Sequence, residues 1–547
     1  MRLIRSVLVS MVLIASLAQA DPRLNQGPKP TATGESVMVS TQLPIVTETA
    51  LDVLRNGGNA VDAMITATFL QHVVDYHQVS HFGTMSGIYF EATTGEYHVI
   101  SGVGKRPLAS RCGKGDPAAV SIGGVVRAME ALAQRWGTLD WADYLAPAIA
   151  AAEAGVEVSS FMYGINYHSM QTGQEGSLVT NREAREFYMP DGFLVPVGER
   201  WEMPALAEHL RALAEQGADY IYTGPWAEKF VEAARAGGHC VAPEDLAEYQ
   251  VQWQEPVRFR YGEHTLVGSA PPDTGGAFLG LSMNMLQHFD LAGRAHYSES
   301  AETLEIMARV FGRASDETRL AINDPLAMQV PIDIWTDPAY GEIAARLVSQ
   351  TMRQPGVSLA APASEGGDSP EAMGSDHNVI VDADGNWFSV LHTGHGGAPG
   401  VFIDGVAATG STARAFTEGP GRRLVLPITA VMIERDGVPW LAMGSPGMPP
   451  QPVTQVLVNI LDWGMDPADA AAAPRFWAWR NNEARIDIES RISDEVRAGI
   501  RESGLRLNDL GPYFWSTGSM QIIWRDPDTG RLHGATDPRR LGWADGY

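Results

Sequence analysis

The chain has 547 residues, with 65 Asp or Glu against 40 Lys or Arg, which gives a formal net charge of −25 at pH 7. So large an excess of negative charge argues against nucleic acids and anionic membranes as partners. Length alone would allow roughly three or four domains, but the sequence contains neither a Pro/Ser-rich linker nor an internal repeat. We therefore expect one large, intertwined unit.

The first twenty residues are predicted to be a secretory signal. Arg2 and Arg5 give the positive start, 7–17 form the apolar run, and 18–20 (Ala-Gln-Ala) form the cleavage site. The apolar run is too short for a membrane-spanning helix, although an uncleaved anchor is the alternative. We expect a periplasmic or secreted protein that begins near Asp21, has no membrane contact and carries a formal charge of −27 once both arginines are removed.

The only two cysteines are Cys112 and Cys240. In an exported protein they can form a disulfide, but the sequence does not show whether they lie close enough together. Two cysteines without paired histidines predict no structural zinc site, and we expect no cofactor.

Hydrophobic periodicity and turn residues predict the elements. A short strand precedes a helix over 41–55, which ends at the turn 56–59. Further helices are predicted over 60–74, 123–154, 204–250, 278–288, 301–319 and 453–463. The predicted strands are 87–90, 98–101, 378–381, 387–392, 430–433, 440–442 and 521–524. A helix-rich first part and a strand-rich second part predict an α+β layered fold.

The segment 354–373 is interrupted by Pro and Gly and separates the two parts. We expect it to be mobile, as self-cleavage next to it would require, although a plain surface loop fits the composition equally well. Gly374 and Ser375 follow, and then an apolar strand. A Ser here can be the point where a chain cuts itself. The freed α-amine, with a pKa of about 8, would then act as general base for the hydroxyl of the same residue. An ordinary loop before a strand is the alternative.

Eight short segments carry a resemblance to a known family through their order and spacing: 57–63, 222–224, 271–276, 375–377, 381–386, 444–447, 473–476 and 537–539. Over nearly the whole mature length the chain resembles the gamma-glutamyltranspeptidase family of N-terminal-nucleophile hydrolases. The resemblance implies a four-layer αββα sandwich and a precursor that cuts itself before a Thr, whose place Ser375 takes here. Cleavage between Gly374 and Ser375 would give a helix-rich large subunit, 21–374, and a strand-rich small subunit, 375–547.

The resemblance also implies catalytic roles. Thr393 matches a Thr whose hydroxyl supports the nucleophile and its amine, the alternative being a strand Thr that faces solvent. Gly447 and Met448 stand where two family glycines hold the oxyanion through backbone N–H groups, and each such donor is typically worth about 3 kcal/mol.

Most residues that would bind a γ-glutamyl group are replaced. The Arg that clamps the substrate carboxylate corresponds to Val103, which cannot make a bidentate contact. The acidic residue that binds the amino group corresponds to Ala415, the Ser-Ser pair to 426–427 (Leu-Pro), and an Asn to His395. The glycine-rich run is reduced to 80–84. Recognition of a γ-glutamyl group is therefore predicted to be lost.

Four residues could rebuild substrate binding: Lys105, Arg106, Arg414 and His395. For Lys105 and Arg106 the alternative is a solvated surface charge. The histidines could also form a new polar site, for which we expect hydrogen bonding and no metal; its members would be His81, His377, His392 and His395.

The resulting hypothesis is an exported, self-processing amidohydrolase or acyltransferase that forms an acyl-Ser375 intermediate. Its substrate is expected to be a small amide or peptide with an acyl part more apolar than glutamate. One alternative is an ordinary γ-glutamyltransferase acting on glutathione-like substrates. The other is an unprocessed pseudoenzyme with a binding or structural role.

Overall fold

The computed structural model describes residues 21, 23–111, 120–172, 181–352, 374–394, 396–409, 419–447, 450–478 and 485–547. The predicted signal, the predicted mobile segment 354–373 and Cys112 fall outside these ranges. Cys240 is disulfide-bonded. No helix within the described ranges combines the length and the apolar character needed to cross a bilayer.

The strands are, in chain order, β1 (Ala32–Gly34), β2 (Met38–Thr41), β3 (Thr84–Glu91), β4 (Glu96–Gly102), β5 (Val156–Glu157), β6 (Arg200–Trp201), β7 (Gln252–Gln254), β8 (Val257–Tyr261), β9 (His264–Gly268), β10 (Ser375–Val381), β11 (Trp387–Thr393), β12 (Gly397–Ile403), β13 (Val406–Thr409), β14 (Ala430–Arg435), β15 (Val438–Gly444), β16 (Phe476–Ala478), β17 (Arg485–Glu489), β18 (Arg506–Leu510), β19 (Gln521–Arg525), β20 (Leu532–Thr536) and β21 (Trp543–Gly546).

The α-helices span Pro44–Arg55, Ala60–Val74, Val125–Trp136, Trp141–Ala154, Ser160–Thr172, Arg182–Tyr188, Pro204–Gln216, Asp219–Tyr222, Pro225–Ala236, Pro243–Ala247, Gly275–Leu286, Ala301–Ala321, Ile332–Trp335, Pro338–Met352, Gln451–Leu461, Pro467–Ala472 and Asp494–Glu502.

Two seven-stranded antiparallel sheets form the centre of the fold. The first sheet has the order β1-β20-β19-β15-β14-β9-β8, and the second has the order β21-β2-β10-β11-β3-β4-β7. Each sheet combines strands that precede residue 375 with strands that follow it. The hairpin of β10 and β11 lies near the middle of the second sheet, with β2 on one side and β3 on the other.

Apolar side chains join the layers. Between the two sheets, Ile88 and Val379 of the second sheet pack with Met432 and Ile523 of the first. The helices from Pro44–Arg55 to Pro225–Ala236 cover the outer face of the second sheet, and those around Gly275–Leu286 cover the first. Because one face of each sheet meets the other sheet and the opposite face meets helices, the molecule is the predicted four-layer αββα sandwich.

The strong periodic elements are confirmed within a few residues. The predicted helix 41–55 is Pro44–Arg55, and the predicted strand 378–381 extends back to Ser375. The predicted helices 123–154 and 204–250 are broken into shorter helices, so the prediction is wrong at 137–140, 217–218, 223–224 and 237–242. It is also wrong at 248–250, because the chain there leaves its last helix and continues into β7, which pairs with β4. The weakly patterned hairpins β8–β9 and β12–β13 were not predicted.

Helix Ala60–Val74 joins two of the short segments listed above, 57–63 and 381–386. Asn59 caps the helix by accepting from the N–H groups of Val61 and Asp62. Asp382, at the turn after β10, accepts a hydrogen bond of 2.9 Å from the N–H of Ala60. A carboxylate at this end of the helix also favours the helix dipole, so the 57–63 and 381–386 segments hold each other in place.

The predicted four-histidine site is not formed. His377 faces the first sheet, where its Nε2 lies 2.8 Å from the Ser389 hydroxyl. His392 and His81 lie on the opposite face of the second sheet, together with His72 and His209. His395 falls outside the described residues.

Four histidines form a buried histidine cluster: His72, His81, His209 and His392. Ring centroids of neighbours in it are 4.4–5.4 Å apart. Burial lowers the pKa of His209 to about 3, and burial and the neighbouring His81 lower the pKa of His392 to about 3. The rings are therefore neutral at pH 7.

A buried ion network joins the segments 473–476 and 537–539. The Arg475 guanidinium pairs with the Asp537 carboxylate. Arg539 pairs with Glu489 at 2.7 Å and with Asp537 at 3.1 Å. Burial alone would raise the pKa of Asp537, but the two guanidinium groups lower it below its usual value. All four side chains are almost completely buried, so each charge depends on its partners.

Asp537→Asn is expected to lower the free energy of unfolding by about 3–5 kcal/mol, because it leaves a buried guanidinium without a counter-charge. Urea unfolding followed by tryptophan fluorescence measures the change. The control is Glu342→Gln, which breaks an exposed pair with Arg346 and should cost no more than about 0.5 kcal/mol. Equal effects of the two substitutions would contradict the importance of the buried network.

Acid should destabilise the protein through the histidine cluster. A histidine whose folded pKa is depressed contributes stability that is complete above about pH 6.5 and is lost as the pH falls towards about 3, because the unfolded chain binds the proton first. Between about pH 6.5 and about pH 4.5 the parent should therefore lose about 2–3 kcal/mol more of its free energy of unfolding than His209→Leu, which has no imidazole to protonate. Urea unfolding at several pH values gives the two slopes, and identical slopes would refute the argument.

Candidate active site

Ser375 lies at the start of the central hairpin. It is the first residue of β10, and in the antiparallel register its Cα partner is Thr393, the last residue of β11. Its side chain points to the same face as that of Val379, which packs against the first sheet. The hydroxyl therefore lies at the rim of the space between the two sheets. Ser375 and Thr393 are both buried, so the alternative of a solvent-facing Thr393 is wrong.

Both hydroxyls point to one carbonyl. Ser375 Oγ donates to the oxygen of Gly374 at 2.7 Å, and Thr393 Oγ1 donates to the same oxygen at 2.5 Å. Gly374 itself packs against the backbone of Gln78, and a Cβ at this position would lie 2.5 Å from Gln78 Cα. Only glycine lets the chain approach so closely at the bond before Ser375.

Arg540 holds the other side of Ser375. Its Nη1 donates to the Ser375 carbonyl oxygen at 3.1 Å and to Gln78 Oε1 at 3.2 Å. Its Nε donates to the carbonyl oxygen of Trp515 at 3.3 Å. Burial lowers the pKa of Arg540 to about 10, against the opposing effect of Asp376 and Asp75. It therefore remains a cation at neutral pH and fixes the backbone of the nucleophile.

Two carboxyl groups accompany this arginine. Asp376 points away from Ser375 towards Asp75 at the end of helix Ala60–Val74. Burial and the charge of Asp75 raise the pKa of Asp376 well above its usual value, and Arg540 opposes that shift. Burial and the nearby like charge therefore favour the protonated form of Asp376. His77 Nε2 lies 3.1 Å from Asp75 Oδ1.

Three residues around Ser375 were not predicted from the sequence: Asp75, Gln78 and Arg540. Only Arg540 had a usable signal, because it follows the segment 537–539 directly. Its contact with Ser375 spans 165 residues, and no spacing rule predicts it.

Gly447 lies in the loop after β15. Its φ is 89°, and a Cβ would lie 2.8 Å from the carbonyl oxygen of Ser516. Both facts require glycine here. Ser445 fixes the same loop, since its Oγ accepts a 2.9 Å hydrogen bond from the N–H of Ser519. The part of the chain that the structure describes does not include Met448, so its N–H remains a predicted oxyanion donor.

Apolar residues occupy the positions predicted to have lost charge recognition. Five buried side chains form one separate apolar cluster: Val103, Leu391, Leu424, Leu426 and Ile428. Leu391 precedes Thr393 by two residues on β11, so both side chains point to the same face of the sheet. The apolar cluster therefore begins one step along the strand from the catalytic pair.

Lys105 and Arg106 are the two candidate cations that the structure describes. Arg106 is 4% exposed, so the alternative of a solvated charge is wrong for it. Lys105 is half-buried, and its backbone bridges Ile122 and Arg423. Arg423 Nη1 donates to the Val103 carbonyl oxygen at 2.9 Å, which places this guanidinium behind the apolar cluster. The remaining candidates His395 and Arg414, and with them Ala415, lie outside the described residues.

The chemistry available to this site comes from side chains and backbone. Among the residues described, no group of three or more His, Cys, Asp or Glu is arranged to hold a metal ion. Two hydroxyl groups, of Ser375 and Thr393, donate to one carbonyl oxygen, and Arg540 holds the Ser375 backbone. Such an arrangement suits the attack of a hydroxyl on an amide bond.

The chain is similar to known proteins over most of its length. The gamma-glutamyltranspeptidase family profile matches residues 46–547. The glutathione hydrolase proenzyme of Escherichia coli (strain K12) is 26% identical over 92% of this chain and 90% of its own length. The acylase ACY 1 proenzyme of Pseudomonas sp. (strain SE83) is 27% identical over 93% of each chain.

A solved structure, the cephalosporin acylase from Bacillus halodurans, superposes with a TM-score of 0.81 at 23% identity, covering 97% of this chain and 98% of that one. At this identity the likeness is one of fold. Because the family profile spans most of the chain and the fold is the expected sandwich, the chain belongs to the gamma-glutamyltranspeptidase family of N-terminal-nucleophile amidohydrolases and acyltransferases.

Proposed function

We propose that this protein is an exported acylase-type enzyme that cuts itself before Ser375 and then hydrolyses or transfers the acyl group of small amides. The observation that carries the proposal is the convergence of the Ser375 and Thr393 hydroxyls on the Gly374 carbonyl oxygen, at 2.7 and 2.5 Å. The same two groups would serve both the self-cleavage and the later reaction.

Self-cleavage begins when Ser375 Oγ attacks the Gly374 carbonyl carbon and loses its proton. Thr393 stabilises the charge that develops on the carbonyl oxygen. The C–N bond then breaks, so an ester joins Gly374 to Ser375 Oγ and the Ser375 amine is released with a proton. Water hydrolyses the ester and leaves a free carboxyl on Gly374 and a free hydroxyl on Ser375.

In the mature enzyme the Ser375 α-amine takes the proton from its own hydroxyl as that hydroxyl attacks the substrate amide. Arg540 keeps the backbone of the nucleophile in place through the Ser375 carbonyl. Gly447 and Met448 would donate their N–H groups to the oxyanion. The amine product leaves, and water or an acceptor amine attacks the acyl-Ser375 ester to release the acyl group.

The acyl part of the substrate is proposed to be largely apolar. Val103 and Leu426 stand where a γ-glutamyl-binding site needs a carboxylate clamp, and they pack with Leu391 into the apolar cluster. The side chains of this cluster offer a carboxylate no ionic partner that would replace its lost hydration.

Export is proposed from the predicted signal over residues 1–20. The disulfide bond of Cys240 supports an oxidising compartment such as the periplasm.

The purified, exported protein should consist of two chains, one of which begins Ser375-Asp376-His377. Ser375→Ala should remain a single chain, because the attacking hydroxyl is missing. Thr393→Ala should slow cleavage by about 100-fold or more, since it removes a donor to the oxyanion, whereas Thr393→Ser should cleave at close to the parental rate. Intact mass and N-terminal sequencing measure these outcomes; cleavage of the Ser375→Ala variant at the same bond would exclude Ser375 as the nucleophile.

The mature enzyme should hydrolyse an N-hexanoyl anilide with a kcat/KM about 100-fold above that of a γ-glutamyl anilide, because the apolar cluster cannot pair a carboxylate. Val103→Arg should reduce hexanoyl hydrolysis, and the matched Val103→Leu should preserve it. A higher kcat/KM for the γ-glutamyl anilide or for glutathione would support an ordinary γ-glutamyltransferase. A parent chain that is never cleaved and forms no acyl adduct would support a binding or structural role.

A further inference from the structure

Beside the apolar cluster lies a small group of buried polar side chains that the reaction proposed above does not use. These are Asp273, Ser86 and Ser101, each 0–1% exposed. Both carboxyl oxygens of Asp273 and both serine hydroxyls lack a hydrogen-bond partner of suitable geometry among the described residues. Buried polar groups are nearly always paired, so three unpaired groups in one place require an explanation.

The strand register locates the two serines relative to the nucleophile. Ser86 on β3 is the Cα partner of Leu391 on β11 and of Ser101 on β4. Paired residues of antiparallel strands point to the same face, so both serine side chains share the face of Thr393 and Leu391. From Thr393 to Leu391 is a two-residue step of about 7 Å along the strand.

Asp273 reaches this place from the other side. It forms a backbone bridge with Leu426 of the apolar cluster, and the N–H of the next residue, Thr274, donates to the Leu426 carbonyl oxygen at 2.8 Å. The Ser86 hydroxyl lies near its carboxyl and favours the ionised form, but burial outweighs this and raises the pKa of Asp273 well above its usual value. The shift favours the neutral carboxylic acid, which has one O–H donor and free acceptor capacity.

An unpaired buried carboxyl lowers stability, and such a cost is typical of groups that act on a ligand. We propose that Asp273, with Ser86 and Ser101, forms a polar recess at the far end of the acyl site, which recognises an uncharged hydrogen-bonding group at the end of an otherwise apolar acyl chain. The inference rests on the proposed function, because it assumes that Ser375 accepts such acyl groups.

The chemical class of the terminal group follows from its surroundings. A hydroxyl or a primary amide can both donate to and accept from a neutral carboxylic acid and two serine hydroxyls. A charged end group, of either sign, would have to lose its hydration beside Val103, Leu391 and Leu426. Asp273 is in this sense a specificity-determining residue.

The test uses the mature two-chain enzyme and six-carbon N-acyl 4-nitroanilides that differ only at the far end: methyl, hydroxyl, primary amide, ammonium or carboxylate. The parent should prefer the hydroxyl- and amide-ended substrates over the methyl-ended one by about tenfold or more in kcat/KM. Asp273→Leu should reverse this preference and raise the melting temperature, since it removes an unpaired buried carboxyl. The nearly isosteric Asp273→Asn should keep most of the preference, and Ser86→Ala should reduce it.

The possible failures are distinguishable. If the parent releases nitroaniline from none of these substrates, the proposed function fails. If it hydrolyses them but Asp273→Leu and Ser86→Ala leave the ratio of end groups unchanged, Asp273 is structural and only this inference is overturned. A preference for the ammonium or carboxylate end that Asp273→Asn abolishes would also overturn it, because the recess would then recognise a charge.

Discussion

The pairing of β10 with β11 in the middle of the second sheet is the constraint on which the site depends. It sets Ser375 opposite Thr393, and it lies between strands β2 and β3 from the first part of the chain. A slip of one residue in this register would turn the Ser375 side chain to the helical face. The buried apolar residues on both faces of the hairpin therefore determine the position of the catalytic hydroxyl as well as the stability of the sheet.

Most of the fold could be predicted from the sequence, whereas the catalytic roles of Ser375 and Thr393, which the fold does pair, stay a prediction. Strong periodicity identified Pro44–Arg55 and Ala60–Val74, and the order of short segments identified Ser375 and Thr393. The support around them could not be predicted, because Asp75, Gln78 and Arg540 come together only through the tertiary fold. The buried histidine cluster was missed for the same reason: His72 and His209 lie on different helices, and only packing brings their rings together.

The site combines the polar groups around Ser375 with an apolar cluster at positions where the family resemblance implies substrate-binding polar residues. The groups that touch Ser375 are polar, whereas the groups one step along the sheet are aliphatic. Beyond them, Asp273, Ser86 and Ser101 are buried, and among the described residues their side-chain oxygens have no hydrogen-bond partner of suitable geometry. Polar groups therefore lie on both sides of the apolar cluster, as the proposed ligand, with a reactive amide at one end and a hydrogen-bonding group at the other, would require. Such a division lets specificity change without disturbing the chemistry.

The contact between Arg540 and the Ser375 carbonyl also orders events during protein synthesis. The ribosome makes the nucleophile 165 residues before it makes the arginine that holds it. A nascent chain that has passed Ser375 but not residue 540 lacks the guanidinium that holds the Ser375 carbonyl. The self-cleavage proposed above would then follow the synthesis of nearly all of the second sheet, when the two parts of the chain are able to hold together without the bond.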